Sequence, residues 1–347
     1  MASPCQPPEL MADLVSEILL RLPPEDPACL IRASLVCKPW LRLISDGTFL
    51  RRYRAFHQTP PLLAFLANIC GNREPRFIPF TAPTPFKPPA FVCSRRPAAR
   101  VPSVWDPITG DPQVLPKPDC RYISGAVVLC ASAAAGCDHL DCHGGPFLVV
   151  CLVCLGISPM PGGATDARVY TSDAGSWGAQ ASVQLGLDSL GKMNPPVVIG
   201  DENSKYSLGK DAFSLIGPPD LDGDSEFVLM RTEDGSLGLA AVRDSNLYLW
   251  SRKVNPEGVA GCVNCRVINL QTLFSIRNRN TTSVIGFAEG VEVIFMSTYV
   301  GMFAIELKSG KVKKVAGPED YFSVLPVMSF YTPYCGRCNH QHGLADL

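Results

Sequence analysis

The chain has 347 residues, 46% of them hydrophobic and 18% charged, with a formal net charge of −1. That length and apolar content support one large domain plus a small one, and the near-zero charge leaves no electrostatic case for a nucleic acid or an acidic membrane as partner. No apolar run reaches the ~20 residues of a bilayer span. The greasiest run, residues 146–157, is short and β-branched and reads as a buried strand. The N-terminus has neither a basic start nor an apolar signal core, so secretion is not expected and placement in the cytoplasm and/or nucleus is. In that compartment the 15 cysteines read as thiols rather than a disulfide framework.

The first predicted elements are helical. Leu14, Ile18 and Leu22, with Val15 and Leu19 beside them, follow helical spacing and give one wide apolar face. Pro23-Pro24 ends that helix, since proline donates no amide hydrogen and clashes with the preceding turn. Asp26 is a suitable N-cap and Pro27 a suitable first residue for a second helix, lined by Leu30, Ala33, Ser34 and Cys37. After Pro39, the residues Trp40, Leu43 and Ile44 start a third, which Asp46-Gly47 closes. Phe49, Tyr53 and Phe56 then share a helical side, with the arginines between them expected in solvent. Three short helices cannot enclose a full core by themselves, so some of their apolar residues must meet another surface. That surface is either the rest of this chain or a partner.

These residues carry a resemblance. Leu10, the run Asp13-Leu14-Val15-Ser16-Glu17-Ile18-Leu19-Leu20-Arg21-Leu22-Pro23, and Ser34-Leu35-Val36-Cys37-Lys38-Pro39-Trp40 together resemble an F-box. The family's opening Leu-Pro is Leu10-Met11 here. The resemblance implies docking on the small adaptor subunit of an SCF-type ubiquitin ligase, and through it on the cullin scaffold. The adaptor-binding residues it implies are Leu10, Met11, Leu14, Ile18, Leu22, Pro23, Val36, Cys37 and Trp40.

His57 to Pro61 reads as a linker. From Leu62 to about Pro333, short runs rich in Val, Ile, Phe, Leu and Tyr alternate with Gly, Asp, Ser and Pro turns, roughly twenty runs in all. The turns at 105–111, 170–177, 232–236 and 307–311 each place a polar residue and a glycine between strands, as tight hairpins require. The predicted architecture is therefore a small all-α domain over 1–56, a linker over 57–61, an all-β domain over 62–333 and a disordered tail over 334–347. Radial closure leaves few strand edges exposed, which favours a β-propeller of about five to seven blades over a double β-sandwich. The stretches at 105–111, 167–177, 235–253, 284–315 and 325–333 look like the C-terminal half of F-box proteins abundant in land plants, especially grasses. In such proteins that half recruits the protein to be ubiquitinated.

Candidate chemistry is sparse. Residues 186–192 fit the first seven positions of a phosphate-binding loop, but Met193 stands where Ser or Thr would hold magnesium, and Asn194-Pro195-Pro196 follows where a helix should open. Cys151 and Cys154 fall on opposite faces of an extended run and read as core thiols. Cys262 and Cys265 read as a loop before a strand. Cys335, Cys338, His340 and His342 have metal-ligand chemistry but lie in the terminal tail; Cys137, His139, Asp141, Cys142 and His143 form a second group in a Gly-rich loop, read as a loop open to adventitious metal. Asp220 to Asp224 reads as a solvated loop, Asn280-Thr281-Thr282 as an unused sequon, and Arg95, Arg96 and Arg100 as too small a basic patch for nucleic acid. No cofactor, no structural metal and no catalysis is expected. The competing readings are an interaction module without a ligase and, behind it, a β-propeller enzyme capped by helices.

Overall fold

In a computed structural model, residues 11–72, 75–80, 102–105, 112–120, 122–132, 137, 142, 145–154, 165–178, 181–183, 227–254, 260–273 and 282–330 are described. The helical block holds four helices rather than three: α1 (Ala12–Leu20), α2 (Pro27–Ser34), α3 (Lys38–Ile44) and α4 (Gly47–His57). α1 stops at Leu20, two residues ahead of the expected point. Residues before a proline are pushed out of the helical region, so the turn at Arg21-Leu22 closes with shorter bonds, from Arg21 N to Ile18 O and Leu22 N to Leu19 O. Asp26 caps α2 as expected, its carboxylate accepting from Ala28 N at 3.1 Å, with Pro27 opening the helix. Asp46 does more than end α3. Its carboxylate accepts from Thr48 N at 2.9 Å and Phe49 N at 3.2 Å, and so starts α4.

The four helices close on one small core. Val15, Leu19, Leu20, Leu30, Ala33, Ile44, Phe49 and Tyr53 are buried together, with Leu22, Trp40, Leu43 and Leu50 at its margin. Phe330, near the end of the described chain, joins them and meets Tyr53 edge-on, ring centroids 6.1 Å apart. The arginines of α4 divide: Arg51 and Arg52 are exposed, whereas Arg54 is buried, because its place four residues after Leu50 turns it toward the inward side.

The remainder is β-rich. Its strands are β1 (Leu62–Ile69), β2 (Arg76–Pro79), β3 (Ser103–Trp105), β4 (Pro112–Val114), β5 (Tyr122–Cys130), β6 (Phe147–Cys154), β7 (Thr165–Thr171), β8 (Ser176–Trp177), β9 (Ala181–Val183), β10 (Phe227–Arg231), β11 (Leu237–Arg243), β12 (Asn246–Val254), β13 (Ala260–Asn269), β14 (Ser283–Ala288), β15 (Val293–Thr298), β16 (Gly301–Glu306), β17 (Val312–Ala316) and β18 (Tyr321–Met328), with the short helix α5 (Leu270–Leu273) after β13. They pair antiparallel into separate sheets: β18-β1-β2, β3-β4, β5-β6-β7-β8 with β9 also on β7, β10-β11-β12-β13, and β14-β15-β16-β17. The expected strand over 146–157 is β6, and Val149 and Cys151 on it are buried.

β1 shows why the sheets stack as they do. Phe65, Ala67 and Ile69 enter one core, shared with Ile285 and Phe295, while Ala64 and Leu66 enter another beside Val327, Phe77 and Trp105. Alternation sends odd and even residues to opposite faces, and both faces are covered. Leu62 lies with the odd set because the ladder to β18 shifts register between Leu62 and Ala64. A neighbouring core joins β10–β12 to β14–β16 through Val228, Ala240, Leu247, Val284, Ile294 and Met296. The pairing of β1 with β18 ties the first strand of this region to the last.

Three of the four expected glycine turns fall on described residues. Gly175, Gly235 and Gly310 stand at φ of 63°, 81° and 68°, where a side chain would be strained. The fourth, at 105–111, lies outside the described residues beyond Trp105.

The turn between β10 and β11 is organised by Asp234. Its carboxylate accepts from Thr232 Oγ1, from Ser236 Oγ at 2.7 Å and from Ser236 N at 3.1 Å, with Lys253 Nζ 3.7 Å away. The Thr232 and Ser236 donors hold its pKa far below the usual carboxylate range. A depressed carboxylate stabilises the fold above its unfolded pKa of about 4 and loses that contribution as pH falls toward its folded value. Asp234→Ala is expected to cost roughly half a kcal/mol at pH 7, small because the site is half exposed and screened. Urea unfolding at pH 7 and pH 3 should show the gap between wild type and variant narrowing in acid; a gap that widens would assign the turn's stability to other groups.

Candidate functional site

The helical core sorts the residues singled out from sequence into two sets. Leu22 and Trp40 are half-buried against that core. Met11, Leu14, Ile18 and Val36 are left outside, at 68%, 47%, 52% and 64% exposure. Pro23 and Cys37 are exposed as well, and Leu10 lies outside the described residues. On α1 the cause is the width of the apolar face. Val15 and Leu19 turn inward with Leu20, so Leu14 and Ile18, one position earlier on the helix, turn outward, and Met11 continues their line.

Leu35, at 78%, is the most exposed large apolar residue among the described ones, and it was missing from the sequence-based set. It occupies the C-cap of α2, where the helix has stopped and the side chain has no inward face to join. The adjacent pair Leu35-Val36, both apolar and both at a helix end, was the signal that could have found it. Phe56 is also more than half exposed, unlike Phe49 and Tyr53, with which it shares a helical side. Its neighbour His57 holds the end of α4 instead: its ring lies 4.5 Å from that of Tyr53 and its Nε2 is 2.9 Å from Leu20 O.

Polar contacts fix the outward face of α1 without covering it. Glu17 lies 2.8 Å from Arg52 Nη2 and 3.2 Å from Arg21 Nη1. Both pairs are exposed and contribute little to stability; Arg52–Glu17 bridges α4 to α1, whereas Arg21–Glu17 lies within α1 and its cap. Tyr53 Oη donates to Leu22 O at 2.8 Å, so the carbonyl ahead of Pro23 is satisfied from inside. Burial pushes the Tyr53 hydroxyl well above its ordinary value and keeps it a donor. The whole is a small rigid block that buries one apolar stripe and presents another.

The cysteines behave in three ways. Cys151 is fully buried, and burial pushes its thiol up to about 12, so it is a core residue as expected; Cys154 lies on the same strand. Cys262 and Cys265 are within β13 rather than in a loop ahead of it; Arg252 faces Cys262 across the ladder, and Cys265 falls where the register shifts. The third group is new. Cys137 and Cys142 come together as the loop reading allowed, with Sγ atoms 3.2 Å apart, and Cys130 at the end of β5 joins them. Cys130 lies only seven residues before Cys137, at the end of a strand rather than in the loop, and stands outside that group. His139, Asp141, His143, the phosphate-loop-like stretch 186–193, Asp220 to Asp224, Arg95, Arg96, Arg100, Asn280, Cys335, Cys338, His340 and His342 lie outside the described residues. Among the described residues, no helix is long and apolar enough to cross a membrane.

A comparison with curated proteins returned no match. A family model does match the helical block: residues 9–52 fit the F-box domain. The segment that buries one apolar stripe and leaves another in solvent is thus an F-box domain, followed in this chain by a β-rich domain of several antiparallel sheets.

Proposed function

We propose that this chain is a substrate-recognition subunit of an SCF-type ubiquitin ligase. The F-box binds the ligase's adaptor subunit through Met11, Leu14, Ile18, Leu35 and Val36, with Pro23 and Cys37 at the margin and Leu22 and Trp40 shaping the surface from beneath; Leu10, outside the described residues, is a further adaptor-binding residue. The observation that carries this reading is the coincidence of the F-box match with apolar side chains that the helical core leaves in solvent. Solvent-exposed leucine, isoleucine and valine on α1 and in the turn after α2 are stabilised when a partner surface covers them.

In this proposal residues 62–333 recruit the protein target, 57–61 link them to the F-box, and 334–347 form a tail. We read the β domain as a propeller. The four-stranded antiparallel sheets β10–β13 and β14–β17 have the make-up of blades, and the pairing of β1 with β18 is the kind of seam that closes a ring. The chain itself makes and breaks no covalent bond. It raises the effective concentration of a target lysine near a charged ubiquitin-conjugating enzyme held by the cullin scaffold. It acts in the cytoplasm and/or the nucleus.

The test is affinity purification with the proteasome blocked, comparing the intact chain with one lacking residues 1–56. The adaptor and cullin should accompany the intact chain alone, while proteins held by the β domain should accompany both. Recovery of partners with no adaptor on the intact chain would replace the ligase reading with that of a plain interaction module.

A further inference from the structure

The geometry points to a metal site unconnected with the F-box: Cys130, Cys137 and Cys142 form a thiolate centre for a soft divalent cation, zinc foremost. Their three Sγ atoms all lie within 4.8 Å of one another. Thiolates on a tetrahedral zinc, each about 2.3 Å from the metal, sit about 3.8 Å apart. The cluster therefore needs only small side-chain rotations to bind. The Cys137–Cys142 separation of 3.2 Å is well beyond a disulfide bond, about 2.05 Å, and a disulfide would have no use for the third sulfur.

The placement of the three is consistent with a built centre. Cys130 is the last residue of β5 and is held by the ladder to β6, where it faces Phe147. Cys137 and Cys142 are separated by four residues, within the spacing of zinc-binding cysteine pairs. Gly145 N donates to Cys142 O at 3.1 Å, and Ala131 N to Pro146 O at 3.0 Å, so the chain turns back into β6 immediately after the last cysteine. Residues 131–146 thus join two adjacent antiparallel strands, a connection that two to five residues would normally make. A cation clamped by three sulfurs gives that long connection a reason to hold one form. All three cysteines are half-buried, shielded enough to bind firmly and open enough for a metal to arrive. Three protein thiolates leave the fourth tetrahedral position to water.

Full-length protein, reduced, supplied with a small excess of zinc and freed of unbound ion, is expected to retain about one zinc per chain by elemental analysis. Cys335→Ser/Cys338→Ser should keep that zinc, and Cys137→Ser/Cys142→Ser should lose it. Because a double variant can misfold, the unaltered chain supplies a second readout. Zinc should shield Cys130, Cys137 and Cys142 together from alkylation, mapped by peptide mass spectrometry, and cobalt(II) in its place should show thiolate-to-metal charge transfer. Absence of retained zinc, zinc that survives Cys137→Ser/Cys142→Ser, or recovery of Cys137 and Cys142 as a disulfide from zinc-replete reduced protein would each overturn the proposal. None of these outcomes bears on adaptor binding.

Discussion

Leu14→Asp/Ile18→Asp is expected to weaken adaptor binding by at least about 30-fold while leaving the chain folded. Both side chains are about half exposed on α1 and lie outside the helical core, so the variant removes little that the block uses for itself. Fully burying a Leu or Ile side chain contributes about 1.5–3 kcal/mol, and covering the exposed halves of these two contributes roughly that much together. Two carboxylates placed in a desolvated contact add an unpaired-charge penalty, for a combined loss of about 2–5 kcal/mol. That is a weakening of roughly 30-fold to several-thousand-fold. Isothermal titration with purified adaptor measures it, and an unchanged melting temperature establishes that the loss is one of contact. Binding within about threefold of wild type would move the docking surface off α1. Leu22→Ala, the substitution the sequence pattern invites first, is the poorer probe. Leu22 packs on the core and its carbonyl accepts the Tyr53 hydroxyl, so a loss of binding there would mix contact with stability.

The same contrast explains what could be read from the sequence. Asp26-Pro27 opens a helix by local chemistry, and the structure agrees: the carboxylate accepts from Ala28 N and Cys29 Sγ, both within three residues. Asp46-Gly47 has equally local chemistry, but the pair can close one helix or open the next, and only the donors of Thr48 and Phe49 decide. On α1 two adjacent apolar stripes, 14/18 and 15/19, are indistinguishable by periodicity; packing against α4 and Phe330 chooses which is buried. The β style and its glycine turns were legible for the same local reason. The β1–β18 ladder was not, since more than 250 residues separate Asn68 from Ser323, which it pairs. Cys130 was missed for a different cause. It is only seven residues ahead of Cys137, but it ends an apolar strand, so its place at the mouth of the loop is not marked by the loop's own composition.

Tyr53→Ala is expected to unfold the helical block and spare the β domain. Tyr53 is 1% exposed at the centre of the helical core, with Phe49, His57 and Phe330 around its ring. Removing a buried aromatic ring costs about 3–5 kcal/mol, and the lost hydroxyl also leaves Leu22 O without its donor. A block of four short helices has little stability of its own to set against that, because so small a unit buries only a modest core. The cores around Phe295 and around Ile294 contain no residue of α1–α4, so they should hold. Hydrogen exchange should therefore show protection lost across residues 12–57 and kept in β14–β16. Adaptor binding should vanish with the helical protection. Tyr53→Phe separates ring from hydroxyl: it keeps the packing, costs about 1–2 kcal/mol, and should retain binding at low temperature. If Tyr53→Ala kept helical protection and affinity, the inward stripe would not be what holds the outward one in place.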